Sequence, residues 1–139
     1  MARPESSTPP TATVEDAVLW TDGAARGNPG PAGIGAILKS PSGEVLYTGS
    51  EFLGHTTNNV AEYKAVLLGL AGALAQGIHR VEVRADSELL IKQLKGEYRV
   101  KSPGLRPLFE EARRLISRFT SVTLTHIRRE LNGEADRLA

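Results

Sequence analysis

The sequence predicts an α/β domain: a five-stranded mixed sheet with helices on its faces. Two observations carry that expectation. Three β-rich segments come first, with no helical period among them. From Asn58 the apolar spacing changes to three and four, and helix and strand patterns alternate to the end of the chain. Strands separated by helices become parallel neighbours through right-handed crossovers. The first three are close enough in sequence to form an antiparallel meander. At 139 residues the chain suits one domain with a sizeable core.

Residues 1–14 are rich in Pro, Ser, Thr and Ala and read as an unstructured tail before a domain over 15–139. Ala17 to Thr21 is a short apolar run, the first strand. "AGIGAILKS" and "EVLYTGSEFLG" are the next two, and "SPSGE" between them carries the Pro, Ser and Gly of a tight turn. In "NNVAEYKAVLLGLAGALAQ", Val60, Tyr63, Leu67, Leu70 and Leu74 recur at helical steps, with Thr57 or Asn58 as cap and Gly77 as stop. "RVEVRAD" alternates as a strand does, and "SELLIKQLK" follows as a short helix with Ser87 as cap. Ser102 and Pro103 mark the start of a longer helix, whose Leu105, Leu108, Phe109, Ala112, Leu115, Ile116 and Phe119 form an apolar stripe. "SVTLTHIRR" is the last strand, and "NGEADRLA" opens a last helix. Trp20 reads as core, and His126 as a structural residue inside the final strand.

Composition narrows the function classes. With no cysteine, disulfide frameworks and thiolate metal sites are excluded. No stretch approaches the roughly 18 apolar residues of a membrane span, and the N-terminus lacks an apolar core of signal-peptide length. Both fit a cytoplasmic protein. Net charge is +1, but it is unevenly spread. Residues 1–91 hold six Lys/Arg against ten Asp/Glu, and residues 92–129 hold ten against three. A basic segment beside carboxylates suits a polyanion approached through metal. On charge alone, a solvated helix face is the simpler reading.

The stretch "TDGAARGNPGPAG" poses the sharper question, because an aspartate follows an apolar run and precedes a glycine-rich turn. A dinucleotide site fits poorly, since a strand follows rather than a helix, and no GK[ST] marks a phosphate loop. Asp22 ends the first strand and Asp86 the fourth, so parallel neighbours would deliver both carboxylates to one edge of the sheet. Glu62 and Asp136 fall in the first turns of their helices. Each acid alone has a structural reading, through the helix dipole or a cap. Four together repel unless a cation neutralises them. Magnesium favours a few carboxylates with waters and phosphates, and paired ions suit phosphodiester hydrolysis.

The blocks "TDGAARGNPGPAGIGAIL", "TTNNVAEYKAVLLGL", "VEVRADSELLIKQL" and "RELNGEADRLA" resemble, in order and spacing, those of type 1 ribonuclease H. The resemblance covers about Leu19 to Ala139. It implies the ribonuclease H-like fold, with strand order 3-2-1-4-5 and strand 2 antiparallel to the rest. It implies an endoribonuclease that cuts the RNA strand of RNA–DNA hybrids, leaving a 5′-phosphate and a 3′-hydroxyl. Two magnesium ions would serve, with manganese as substitute. Asp22 would bridge them, with Glu62 and Asp86 on one and Asp136 on the other. Asn28, Asn58 and Asn59 match positions that touch the hybrid's minor groove, and Thr57 one that holds a DNA phosphate. A monomer is implied by analogy.

The chain departs from the family at several points. His55 stands where an arginine is common in the DNA-phosphate pocket, and Ser102 where an asparagine is common. Weaker discrimination, and some activity on double-stranded RNA, are the expected result. "KGEYRVKSPG" is too short for the lysine-rich protrusion of many members, which leaves Lys92, Lys95, Arg99 and Lys101 to support affinity. The loop before the last acid has no histidine, so Arg128, Arg129 or Glu130 is expected to assist instead. Three other readings stand beside the nuclease: the catalytic domain of a longer fused protein, an inactive hybrid-binding module, and another polynucleotidyl transferase of the same fold. The "TTNNVAEY" block fits the last poorly.

Overall fold

A computed structural model describes residues 14–139. The tail read over residues 1–14 lies outside them except for Val14, which packs against the core. The chain runs β1 (Asp16–Ala25), β2 (Gly30–Lys39), β3 (Val45–Thr56), α1 (Asn58–Ala75), β4 (Arg80–Ala85), α2 (Glu88–Leu94), α3 (Arg106–Ile116), β5 (Ser121–His126) and α4 (Gly133–Leu138). A single 3₁₀ turn, Arg129–Leu131, precedes α4. The five strands form one sheet in the order β3-β2-β1-β4-β5. β2 is antiparallel to both neighbours, while β1, β4 and β5 are parallel.

β1 is longer than the apolar run suggests, and this places the first acid. Its pairing with β4 stops at Thr21 opposite Ala85. Its pairing with β2 continues through Asp22 opposite Gly35 to Ala25 opposite Ala32. Asp22 therefore stands inside the strand, not at its end. It is the first β1 residue past the last β4 pair, level with Asp86 just beyond Ala85. The polar, glycine-rich composition hid this extension, since one partner strand alone can hold such a segment in the ladder.

α1 packs on one face of the sheet. Its Tyr63, Val66 and Leu70 join Leu19, Leu38, Val83, Leu90, Leu94, Leu105 and Ala112 in one buried cluster. The Tyr63 hydroxyl donates to Gln93 Oε1 at 2.7 Å, which ties α1 to α2 inside the core. The apolar stripe is real but only partly central: Leu105, Ala112 and Phe119 are buried, and Leu108, Phe109, Leu115 and Ile116 are partly covered. α3 begins at Arg106, not at Ser102, because the Leu105 and Arg106 amides donate to the Ser102 carbonyl in a turn ahead of it. Trp20 is not in the core. It points to the other sheet face, where Lys39 Nζ and Arg84 Cζ lie 5.5 and 5.2 Å from its ring centroid. His126 is exposed at the end of β5, opposite Ala85.

Two glycines set how closely the helices approach. A Cβ at Gly23 would lie 2.3 Å from the Ala61 carbonyl oxygen, so only glycine lets the start of α1 rest on β1. A Cβ at Gly35 would lie 2.4 Å from the Ala135 carbonyl oxygen, so α4 reaches β2 for the same reason. The glycine after Asp22 thus admits the protein's own helix.

Candidate active site

A cleft of about 410 Å³ opens where β1 outruns β4, and Asp22, Glu62, Asp86 and Asp136 all line it, with Asn58 and Arg129. Each acid arrives by a different route. Asp22 comes from the extension of β1, and Asp86 from the residue between β4 and the α2 cap. Glu62 lies in the second turn of α1, past the first turn where it was expected, because the helix begins at Asn58 with Thr57 as its cap. Asp136 lies in the first turn of α4, as expected.

The acids sense one another. Asp22 is 9% exposed. Burial, then the Asp86 charge, a side-chain hydrogen bond with Asp136 and the charges of Asp136 and Glu62 raise its pKa from 3.8 to about 7. Burial raises Glu62 to about 7 as well, and the Asp86 charge adds to it, against a hydrogen bond from Ser87 and the Arg129 charge. This set of hard oxygen donors, short of positive charge, fits divalent cations of the magnesium type. It is a cleft and not a closed cage: among the described residues no three His, Cys, Asp or Glu side chains already form a metal-holding group. Magnesium keeps waters and takes substrate phosphates, so an open set of carboxylates is compatible with it.

A second cleft, of about 400 Å³, adjoins the start of α1. Asn28, Thr57, Asn59, Val60, Ser102, Gly104 and Leu105 line it. Four of the six residues expected to bind substrate therefore meet here, and Asn58 lines the acid cleft. His55 lines neither: it is exposed on β3, opposite Pro31. The asparagines are also structural. Asn58 Oδ1 accepts from the Ala25 amide at 2.7 Å, and Asn28 Oδ1 accepts from the Asn58 amide at 3.1 Å. Their oxygens hold the β1–β2 loop against α1, which leaves the NH₂ ends as the groups available to a ligand. Thr57 Oγ1 accepts from the Val60 amide at 3.2 Å as the helix cap.

Of the three residues expected to assist, Arg129 lines the acid cleft. Arg128 and Glu130 are exposed and do not. Lys92 is engaged with Glu88 at 3.1 Å and lies over the Tyr98 ring. Lys95, Arg99 and Lys101 are exposed. Ser87, read from the sequence as a helix cap, and Asn132, which the sequence did not single out, also belong to the site. Ser87 caps α2, and it lies beside Glu62, whose pKa it lowers. Asn132 makes no cap bond; its side-chain NH₂ donates to the Thr21 carbonyl at 2.8 Å and to Asp86 Oδ2 at 3.1 Å. Its spacing before Asp136 was the only sequence signal for it.

The family described as "Reverse transcriptase-like" matches residues 20–139. The chain is similar to the N-terminal RNase H domain of a Mycobacterium tuberculosis protein, at 39% identity and a TM-score of 0.88, over 89% of this chain and 90% of that one. It is similar to RNase H1 of Halobacterium salinarum, at 40% identity and a TM-score of 0.86, over 89% and 94%. It is also similar to LC11-RNase H1, isolated from compost and solved in complex with an RNA/DNA hybrid, at 41% identity and a TM-score of 0.83, over 88% and 92%. The chain belongs to the ribonuclease H family. It spans 60% of the full-length Halobacterium salinarum Ribonuclease HI and 34% of the Mycobacterium tuberculosis bifunctional protein.

Proposed function

We propose that this domain is an endoribonuclease that hydrolyses the RNA strand of RNA–DNA hybrids with divalent metal, leaving a 5′-phosphate and a 3′-hydroxyl. The observation that carries the reading is the convergence of Asp22, Glu62, Asp86 and Asp136 on one cleft at the sheet edge. These four would hold magnesium, or manganese in its place. Such ions, when bound, neutralise the phosphodiester and stabilise the attacking and leaving oxygens.

The chain's own residues supply orientation. The free NH₂ ends of Asn28 and Asn58, with Asn59, suit the acceptors that a minor groove presents, including the 2′-hydroxyl that marks RNA. Thr57 and Ser102 suit a phosphate of the uncut strand in the neighbouring cleft. Arg129 lines the cleft and balances charge beside Glu62, which supports it, among Arg128, Arg129 and Glu130, as the auxiliary residue. Ser102 is shorter than the asparagine common there, so weak cutting of double-stranded RNA accompanies the main activity. The domain acts as a monomer in the cytoplasm.

A second reading concerns context and keeps the chemistry. Similarity to the N-terminal domain of a bifunctional protein supports a role as one catalytic unit of a longer chain. The test of the nuclease reading uses an end-labelled RNA–DNA hybrid with magnesium. The expected result is internal cuts in the RNA strand with 5′-phosphate ends and an intact DNA strand. Tight hybrid binding without cutting, in magnesium and in manganese, would replace the enzyme with a binding module.

A further inference from the structure

Asn132 is buried, at 1% exposure, at the junction of three pieces of the cleft. Its backbone amide donates to the Arg129 carbonyl at 2.9 Å, closing the 3₁₀ turn whose Arg129 lines the cleft. Its carbonyl accepts from the Asp136 amide at 3.0 Å, the first turn of α4. Its side-chain NH₂ reaches across to the Thr21 carbonyl, next to Asp22, and to the Asp86 carboxylate. One residue thus touches the segments that carry Asp22, Asp86, Arg129 and Asp136. The amide orientation follows from the network, because both side-chain partners are acceptors.

A helix start offers an asparagine an easier use. A side-chain cap on α4 needs extended backbone at the cap, and Asn132 instead has φ −114° and ψ 25° and makes no cap bond. Its Oδ1 is buried with no hydrogen-bond partner among the described residues. A residue selected for helix stability alone would spend its oxygen on the helix amides. Here the donor end is used on a carboxylate and the acceptor end is left unmet, which points to a role in holding Asp86.

We infer that Asn132 is a positioning residue that fixes the Asp86 carboxylate and the start of α4 relative to β1, and so sets the spacing of the acids toward divalent metal. The inference rests on the proposed reading of the cleft as a metal-dependent nuclease site. Groups that orient ligating carboxylates typically change metal affinity or activity about 10- to 100-fold when removed. Alanine at this position removes the donor. Aspartate keeps the size but sets a second carboxylate against Asp86.

The test measures Asn132→Ala and Asn132→Asp in two ways. Magnesium titration of the substrate-free protein, followed by amide resonances, gives affinity without turnover. Hybrid cleavage against magnesium gives the half-maximal concentration and kcat. Both variants are expected to weaken magnesium binding and raise its requirement about tenfold, with KM for the hybrid changed by less than about twofold. Unchanged magnesium affinity and requirement in a folded variant would overturn the inference. Should the variants not fold, the wild type still decides. Its Asn132 side-chain NH₂ resonances are expected to move on magnesium addition, and no movement would overturn the inference. Failure of the wild type to cut hybrid would instead remove the nuclease reading, while the substrate-free titration would still report on Asn132.

Discussion

Asp22 shows how one buried carboxylate reports on its whole surroundings. In the unfolded chain Asp22 loses its proton near 3.8 and Glu62 near 4.5, but both keep it to about 7 in the folded, metal-free protein. The raised folded values fix the sign. Stability is fully present below about pH 4, falls as pH rises toward 7 and levels off above it. Melting in EDTA should therefore show Tm falling between pH 5.5 and 8, by about 4 °C or more for each kcal/mol lost in a domain of this size. Asp22→Asn should flatten that slope, and magnesium should raise the wild-type Tm at pH 8 far more than at pH 5.5. An equal slope in both proteins would mean that burial and the neighbouring acids do not raise Asp22 as described. That Asp22, Glu62, Asp86 and Asp136 line one cleft was legible from four acids near element ends and from the family resemblance, although Asp22 stands inside β1 and Glu62 one turn further along α1 than expected. Asn132 was not legible, since a cap and a side-chain bridge look alike until the tertiary partner, Asp86, is in place. The surroundings of His55 were not legible for a related reason: its place in the β3 sequence does not reveal that it stands opposite Pro31 and lines neither cleft.

At the level of elements, backbone proximity builds the site. Gly23 admits α1, which carries Glu62, and Gly35 admits α4, which carries Asp136. Gly35→Ala should force α4 from β2, costing about 1–3 kcal/mol and lowering kcat more than it raises KM. Thermal melts with steady-state kinetics check this, and unchanged kcat in a destabilised protein would separate α4 placement from catalysis. The order of elements was readable from the change of apolar period, and strand pairing followed from crossover rules. Element ends were harder to read. β1 runs on to Ala25 because β2 keeps pairing with it after β4 has stopped. α3 starts late because the turn at Ser102 takes the first two amides. Both limits are set by hydrogen-bond partners distant in sequence or by local turn geometry, which apolar periodicity does not encode.

Over the whole molecule, charge is arranged along the chain so that the acids fall largely outside the basic stretch 92–129. A polyanion would meet the carboxylates through metal and the basic segment directly. Hybrid affinity should fall steeply with salt. Replacing Lys95, Arg99 and Lys101 with alanine should reduce the log–log slope by about 0.7–0.9 for each phosphate contact removed. An unchanged slope in filter binding would assign those side chains to solvated surface. The cleft at the sheet edge is thus read as a metal-dependent nuclease site with Asp22 as its hub. Its most direct test compares the wild type with Asp22→Asn on a labelled RNA–DNA hybrid in magnesium, with hybrid binding measured alongside and double-stranded RNA and DNA as controls. The expected result is RNA-strand cutting by the wild type and a loss of at least about a thousandfold in Asp22→Asn, some 4 kcal/mol in the barrier, with binding retained. Cutting by Asp22→Asn at near wild-type rate would contradict it.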